Sequence, residues 1–127
     1  MHISCGPLQG ITDDVFRSVH HQVFGGVDSY YGPYVRLENH KEPTPSQLRD
    51  AASPLNKNIA YIPQILSSQA PLIIGEAERL KKWGHQIVNW NLGCPYPMVT
   101  NRGMGSGLIC DPNKIDDILQ RVHNETD

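Results

Sequence analysis

The sequence is short of cysteine, of long apolar runs and of net charge, and each shortage removes a class of function. Cys5, Cys94 and Cys110 are widely spaced, odd in number and include no C-x-x-C pair. Neither a disulfide framework nor a zinc site is indicated, and a reducing, cytoplasmic setting fits. No stretch approaches the roughly 20 apolar residues of a membrane span, and Met1-His2-Ile3-Ser4-Cys5 is no basic leader followed by an apolar run. A membrane partner is not expected. The net charge of -2 offers no overall basic field of the kind that marks many nucleic-acid binders. His20 and His21 are adjacent on a predicted helix and do not share a face, so no metal site is expected there. Internal repeats and low-complexity tracts are missing as well.

What is present is ordinary for a globular chain: 127 residues, 39% of them hydrophobic and 19% charged. Met1 to Cys5 reads as a short strand stopped at Gly6-Pro7. Thr12 is placed to cap a helix with Asp13 and Asp14 in its first turn, an apolar stripe of Val15, Phe16, Val19 and Val23, and Gly25-Gly26 at its end. Val27 to Leu37 is a strand interrupted at Gly32-Pro33, and a short helix is predicted over Ser46–Ala52. Asn58 to Leu66 is the third strand, although Pro63 cannot donate to a ladder. A helix over Ser68–Trp83 with Leu72, Ile73, Ala77 and Leu80 inward precedes a fourth strand, Gln86–Leu92. Asp111 and Pro112 open a last helix whose inward stripe is Ile115, Ile118, Leu119 and Val122. Strands alternating with helices predict parallel βαβ units. The remaining residues take plain readings: Cys5 and Cys110 as core, Tyr30, Tyr31 and Tyr34 as packing, and Glu76, Glu78, Lys81 and Lys82 as a solvated helix face.

The chain is organised around residues 87–107. Strand alternation puts Val88, Trp90 and Leu92 on one face and Ile87, Asn89 and Asn91 on the other, so both asparagines look into one space. Interior carboxamides need partners, and a bound polar ring would supply them. Gly93 frees the backbone before Cys94, Pro95 restricts it after, and the thiol is expected to be held at the open mouth of the site. A loop with Gly103, Gly105 and Gly107 follows. Together with Gly6–Thr12 and Gln64–Gln69, this segment lies at a strand C-terminal end, where parallel α/β folds collect ligands, so one site built from three loops is expected.

Gly6-Pro7-Leu8-Gln9-Gly10-Ile11-Thr12-Asp13 with Phe16-Arg17, then Gln64, then Asn91-Leu92-Gly93-Cys94-Pro95 with Val99, Gly103, Gly105 and Leu108, resemble the tRNA-dihydrouridine synthases over nearly the whole chain. The resemblance implies the α/β fold of that family, here the N-terminal half of a TIM (β/α)8 barrel of about four βα units. Residues 1–127 would be a partial flavin-binding domain, with the second half-barrel and a helical tRNA-binding domain lying elsewhere. It implies FMN as cofactor, NADPH as reductant and uridine in tRNA as substrate, reduced to dihydrouridine. Pro7 and Leu8 would lie against the flavin ring, Gln64 would hydrogen-bond it, and Asn91 would meet the flavin or the uracil edge. Cys94 would be the general acid, and Arg102 a contact to a tRNA phosphate.

Leu8 stands where that family usually has methionine, Asn89 where it has aspartate, and Pro63 where an aliphatic residue precedes the glutamine. The family's flavin-binding lysine and histidine have no counterpart in these residues, so the piece alone is expected to be inactive, and its open edges to favour homodimerisation. Two other readings stand beside this one. A dihydroorotate dehydrogenase-like flavin enzyme fits less well, because Gly93 and Tyr96 flank the Cys-Pro pair where serine and asparagine are usual. A non-catalytic tRNA-binding module is disfavoured by the acidic balance.

Overall fold

Short aromatic and β-branched runs cut by glycine and proline become short strands in the computed structural model, which describes residues 1–39 and 41–126. Asp127, the last residue of the expected domain, lies outside the described residues. The strands are β1 (Ser4–Cys5), β2 (Ser29–Tyr31), β3 (Val35–Arg36), β4 (Tyr61–Ile62), β5 (Gln64–Leu66) and β6 (Asn89–Trp90). The helices are α1 (Asp14–Val23), α2 (Pro45–Ala52), α3 (Ala70–Lys82), α4 (Pro97–Thr100) and α5 (Pro112–Glu125), with 3₁₀ turns at Pro54–Asn58 and Gly105–Leu108.

The pairings between these strands are all parallel, in the orders β1-β2-β4 and β3-β5-β6. Because β2 runs on into β3 and β4 into β5, the two ladders continue one another, and the extended segments stand side by side in chain order. Helices alternate with them, which is the expected α/β plan. Pro63 separates β4 from β5: it has no N–H to give, but its carbonyl still accepts Asn89 N–H at 2.9 Å. The interruption at Gly32-Pro33 is a bulge. From Tyr31 to Val35 the second segment takes four residue steps while its partner takes three from Ile62 to Ile65, so one residue is extra. Gly32 leaves room for the Tyr61 ring: a Cβ there would lie 2.3 Å from the Tyr61 hydroxyl, and the ring would have to shift.

The main core joins Val35 and Ile65 of the strands, and Leu37 just after β3, to Ile73 and Leu80 of α3, Leu108, and Ile118 of α5, with Val88, Trp90 and Leu92 packed against it. The predicted division of the fourth strand therefore holds, and Trp90 anchors it by donating from Nε1 to the Ser67 carbonyl at 2.9 Å. Asp111 caps α5 by accepting Lys114 N–H, with Pro112 at its first position.

Several expectations fail for identifiable reasons. Asp13, not Thr12, caps α1, accepting Phe16 N–H at 2.9 Å, because the Thr12 hydroxyl is engaged by Leu8. The stripe Val15, Phe16, Val19 and Val23 is exposed, and the buried residue of α1 is Arg17. That helix packs on the Pro54–Asn58 turn through its other flank. Leu119 and Cys110 are exposed rather than core. Glu76 is buried, since it falls on the same helical stripe as Ile73 and Leu80. Helix α3 starts at Ala70, two residues later than expected, and the fourth strand pairs only at Asn89–Trp90.

Candidate functional site

Residues on adjacent strands at the same level face each other, and Gln64 is in register with Asn89. Alternation then brings Asn91 to the same face, and the three carboxamides form a row. Gln64 Nε2 donates to Asn89 Oδ1 at 2.7 Å, and Asn91 Nδ2 donates to Gln64 Oε1 at 2.7 Å. The partner that the two asparagines require is thus a third amide lying between them.

The direction of the row is set at one end. Asn91 Oδ1 accepts the backbone N–H groups of Gly93 and Cys94 at 3.0 and 2.9 Å, which uses its acceptor capacity and leaves its amide nitrogen for Gln64. Gln64 must then turn its own nitrogen toward Asn89. What the row keeps free is mostly donors: one N–H each on Gln64 and Asn91 and two on Asn89. Such an edge suits a ligand that presents carbonyl oxygens or ring-nitrogen acceptors.

Cys94 is fastened from both sides. Its N–H goes to Asn91, and its carbonyl accepts Ser106 N–H at 3.0 Å and the Ser106 hydroxyl at 3.2 Å. The glycine loop makes that approach feasible: Gly105 sits at φ 55°, and a Cβ on it would lie 2.5 Å from the Cys94 carbonyl oxygen. Gly105 thus serves close packing on Cys94, and Gly107 close packing on Thr100. The sulfur itself does not stand at an open mouth. Cys94 is 7% exposed and clusters with Leu66, Val99 and Met104, with Tyr34 against them. Burial first, and then the neighbouring Cys94, push the Tyr34 hydroxyl above its ordinary value. Sequence reasoning assigned Tyr34 to packing alone; nothing in the local pattern shows that the bulge at residues 32–34 brings it to the thiol.

Of the remaining predicted residues, Leu8 is 59% exposed and Pro7 half-buried, an apolar pair on the loop after β1. Arg102 is exposed but not solitary, being paired with Glu38. Glu38 also holds Arg36 Nε at 2.6 Å, and Arg36 donates to the Met98 carbonyl at 3.1 Å. Burial works to raise the Glu38 carboxyl, but the Arg102 and Arg36 guanidiniums outweigh it and hold it below the ordinary carboxylate range. The end of the second extended segment is thereby tied to α4. A separate cavity of about 760 Å³ lies at the opposite, N-terminal ends of the strands, bordered by His2, Ser29, Tyr61, His85 and Ile87; none of the predicted site residues lines it. Among the described residues, no helix is long and apolar enough to cross a membrane.

The family model described as dihydrouridine synthase matches residues 4–127. The tRNA-dihydrouridine synthase B of Pseudomonas syringae pv. tomato is 32% identical over 120 residues, covering 91% of this chain and 34% of that protein. A probable tRNA-dihydrouridine synthase of Helicobacter pylori is 33% identical over 124 residues, covering 94% and 36%. A tRNA-dihydrouridine(16) synthase of Neisseria meningitidis is 28% identical over 125 residues, covering 94% and 37%. The chain spans about a third of the length of the curated relatives it matches. With a family model matched over nearly its whole length, this chain belongs to the dihydrouridine synthase family.

Proposed function

We propose that this chain is the first half, about four βα units, of a flavin-binding TIM barrel that reduces uridine in tRNA to 5,6-dihydrouridine with FMN and NADPH. The observation that carries the reading is the amide row Gln64, Asn89 and Asn91 joined directly to the backbone of Cys94. Its free N–H groups fit the carbonyl and ring-nitrogen acceptors of a flavin or a uracil, and Leu8 and Pro7 offer an apolar bed for a ring. When bound, FMN reduced by NADPH supplies the hydride for C6 of the pyrimidine.

The chain's residues supply the rest. Asn91 orients the loop that carries the acid, and Gln64 relays that orientation to Asn89. The Cys94 thiol, acting as general acid, gives its proton to C5 and is left as thiolate. Reaching C5 requires the covered sulfur to move outward, and its chain neighbours Gly93, Pro95 and Tyr96 are exposed. Arg102, on the exposed side of its pair with Glu38, meets a tRNA phosphate. One observation favours a second reading, a tRNA-binding module without catalysis: Cys94 is buried.

Titrating the full-length protein with FMN, then supplying NADPH and unmodified tRNA, separates the two. Bound flavin absorbance and dihydrouridine in the tRNA are expected; tRNA binding with neither would transfer the assignment to the second reading.

A further inference from the structure

Arg17 is fully enclosed, and the proposed chemistry gives its charge nothing to do. Its Nη1 donates to the Thr12 carbonyl at 2.7 Å. Its Nη2 lies 3.2 Å from each Asp50 oxygen and 2.8 Å from Asn56 Oδ1, and the guanidinium carbon stands 4.3 Å from the Tyr61 ring centroid. Asp50 also accepts Asp14 N–H at 2.8 Å, and Asn56 Nδ2 donates to the Asp50 carbonyl at 2.8 Å. A buried ion pair is weak ground for stability by itself, because apolar replacement is often neutral or better.

What the cluster does hold is a loop. Thr12, itself buried, receives Leu8 N–H on its hydroxyl at 2.8 Å, and the Leu8 carbonyl takes Ile11 N–H and Thr12 N–H, each at 3.0 Å. Both backbone polar groups of Leu8 are therefore fixed while its side chain stays in the open. An exposed apolar side chain on an immobilised backbone is a pre-formed contact, and its ordering entropy is spent before a ligand arrives.

We infer that Arg17 is a positioning residue for the cofactor: acting through Thr12, it sets Leu8, and Pro7 before it, at the place where the flavin ring rests. This inference rests on the flavin reading above. Its test is FMN binding to the full-length protein, read by quenching of FMN fluorescence and by the absorption band of the bound flavin. Thr12→Val keeps the shape and removes the hydroxyl that takes Leu8 N–H; it should lower the unfolding midpoint, weaken FMN by about tenfold in the folded protein, and move the band toward that of free FMN. Arg17→Gln should weaken FMN similarly, Arg17→Lys should recover part of the loss by keeping a donor for the Thr12 carbonyl, and the Arg17→Gln/Thr12→Val pair should be no worse than the weaker single variant. Where Arg17→Gln does not fold, Thr12→Val decides. Parent affinity and parent spectrum in Thr12→Val, or in folded Arg17→Gln, overturn the inference alone. A parent that binds no FMN overturns the flavin reading and this inference together, before any variant is compared.

Discussion

The side-chain oxygen of Asn91 accepts the backbone N–H of Cys94 at 2.9 Å, so the residue that faces Gln64 also fixes the residue that carries the thiol. Asn91→Ala should remove both functions, leaving Gly93 and Cys94 N–H groups without partner at a cost of about 2 kcal/mol. Asn91→Asp keeps the acceptor and loses the donor. Chemical denaturation should therefore rank the parent and Asn91→Asp close together and Asn91→Ala well below, whereas FMN affinity should drop in both variants. Equal stability in all three would remove Asn91 from its place as the organiser of the loop.

Gly105 and Gly10 both have positive φ but differ in surroundings. Alanine at 105 brings Cβ to 2.5 Å from the Cys94 carbonyl oxygen, while alanine at 10 meets nothing within 4 Å. Gly10→Ala should cost only the backbone term, about 1 kcal/mol, and Gly105→Ala should add overpacking of about 1–3 kcal/mol to it. Thermal melts of the two variants make the comparison, and a smaller shift for Gly105→Ala than for Gly10→Ala would contradict the close packing of this loop on Cys94.

Two carboxylates give opposite pH dependences. Burial raises Glu76 above its ordinary 4.5, with the Arg79 charge opposing it, so the folded chain holds the proton more tightly than the unfolded one. That contribution is complete below the unfolded value and is lost as pH climbs through the raised one. Glu38 is depressed, so its contribution is present above the unfolded value and is lost as pH falls through the lowered one. Glu76→Gln should flatten the decline in stability above about pH 4.5, and Glu38→Gln should flatten the loss on the acid side. Unfolding midpoints measured from pH 3 to 8 test both signs.

The ion pair of Arg102 with Glu38 leads to a prediction about RNA. If a phosphate takes Arg102 from Glu38, Arg102→Gln should weaken tRNA binding across sequences and lower the salt slope by about one, and Glu38→Gln should tighten binding a few-fold. Affinity measured over a range of salt concentrations decides, and an unchanged slope in Arg102→Gln would remove the phosphate contact.

The parts of this structure that were legible in the sequence are those set by short-range periodicity. Alternation at two residues placed Trp90 and Asn91 on opposite faces, and Asp111-Pro112 announced α5. Longer relationships were not legible. That Gln64 would stand between Asn89 and Asn91 depends on strand register, and that Arg17 would be buried depends on Asp50 and Asn56, which arrive from another helix and its following turn. The stripe on α1 has a helical period in the sequence, but a period tells only that a face is apolar and not what covers it. The cover over Cys94 escaped for a similar reason: the residue steps of the second and third segments had to be compared before the bulge beside Tyr34 could be seen.

The central claim is that Cys94 hands a proton to a pyrimidine beside a flavin. Its most direct test is Cys94→Ala in the full-length protein, loaded with FMN, reduced by NADPH and given tRNA that lacks dihydrouridine. FMN affinity within about twofold of the parent and dihydrouridine formation slowed by about 10²–10⁴ are the predicted results; formation at the parent's rate would contradict the account.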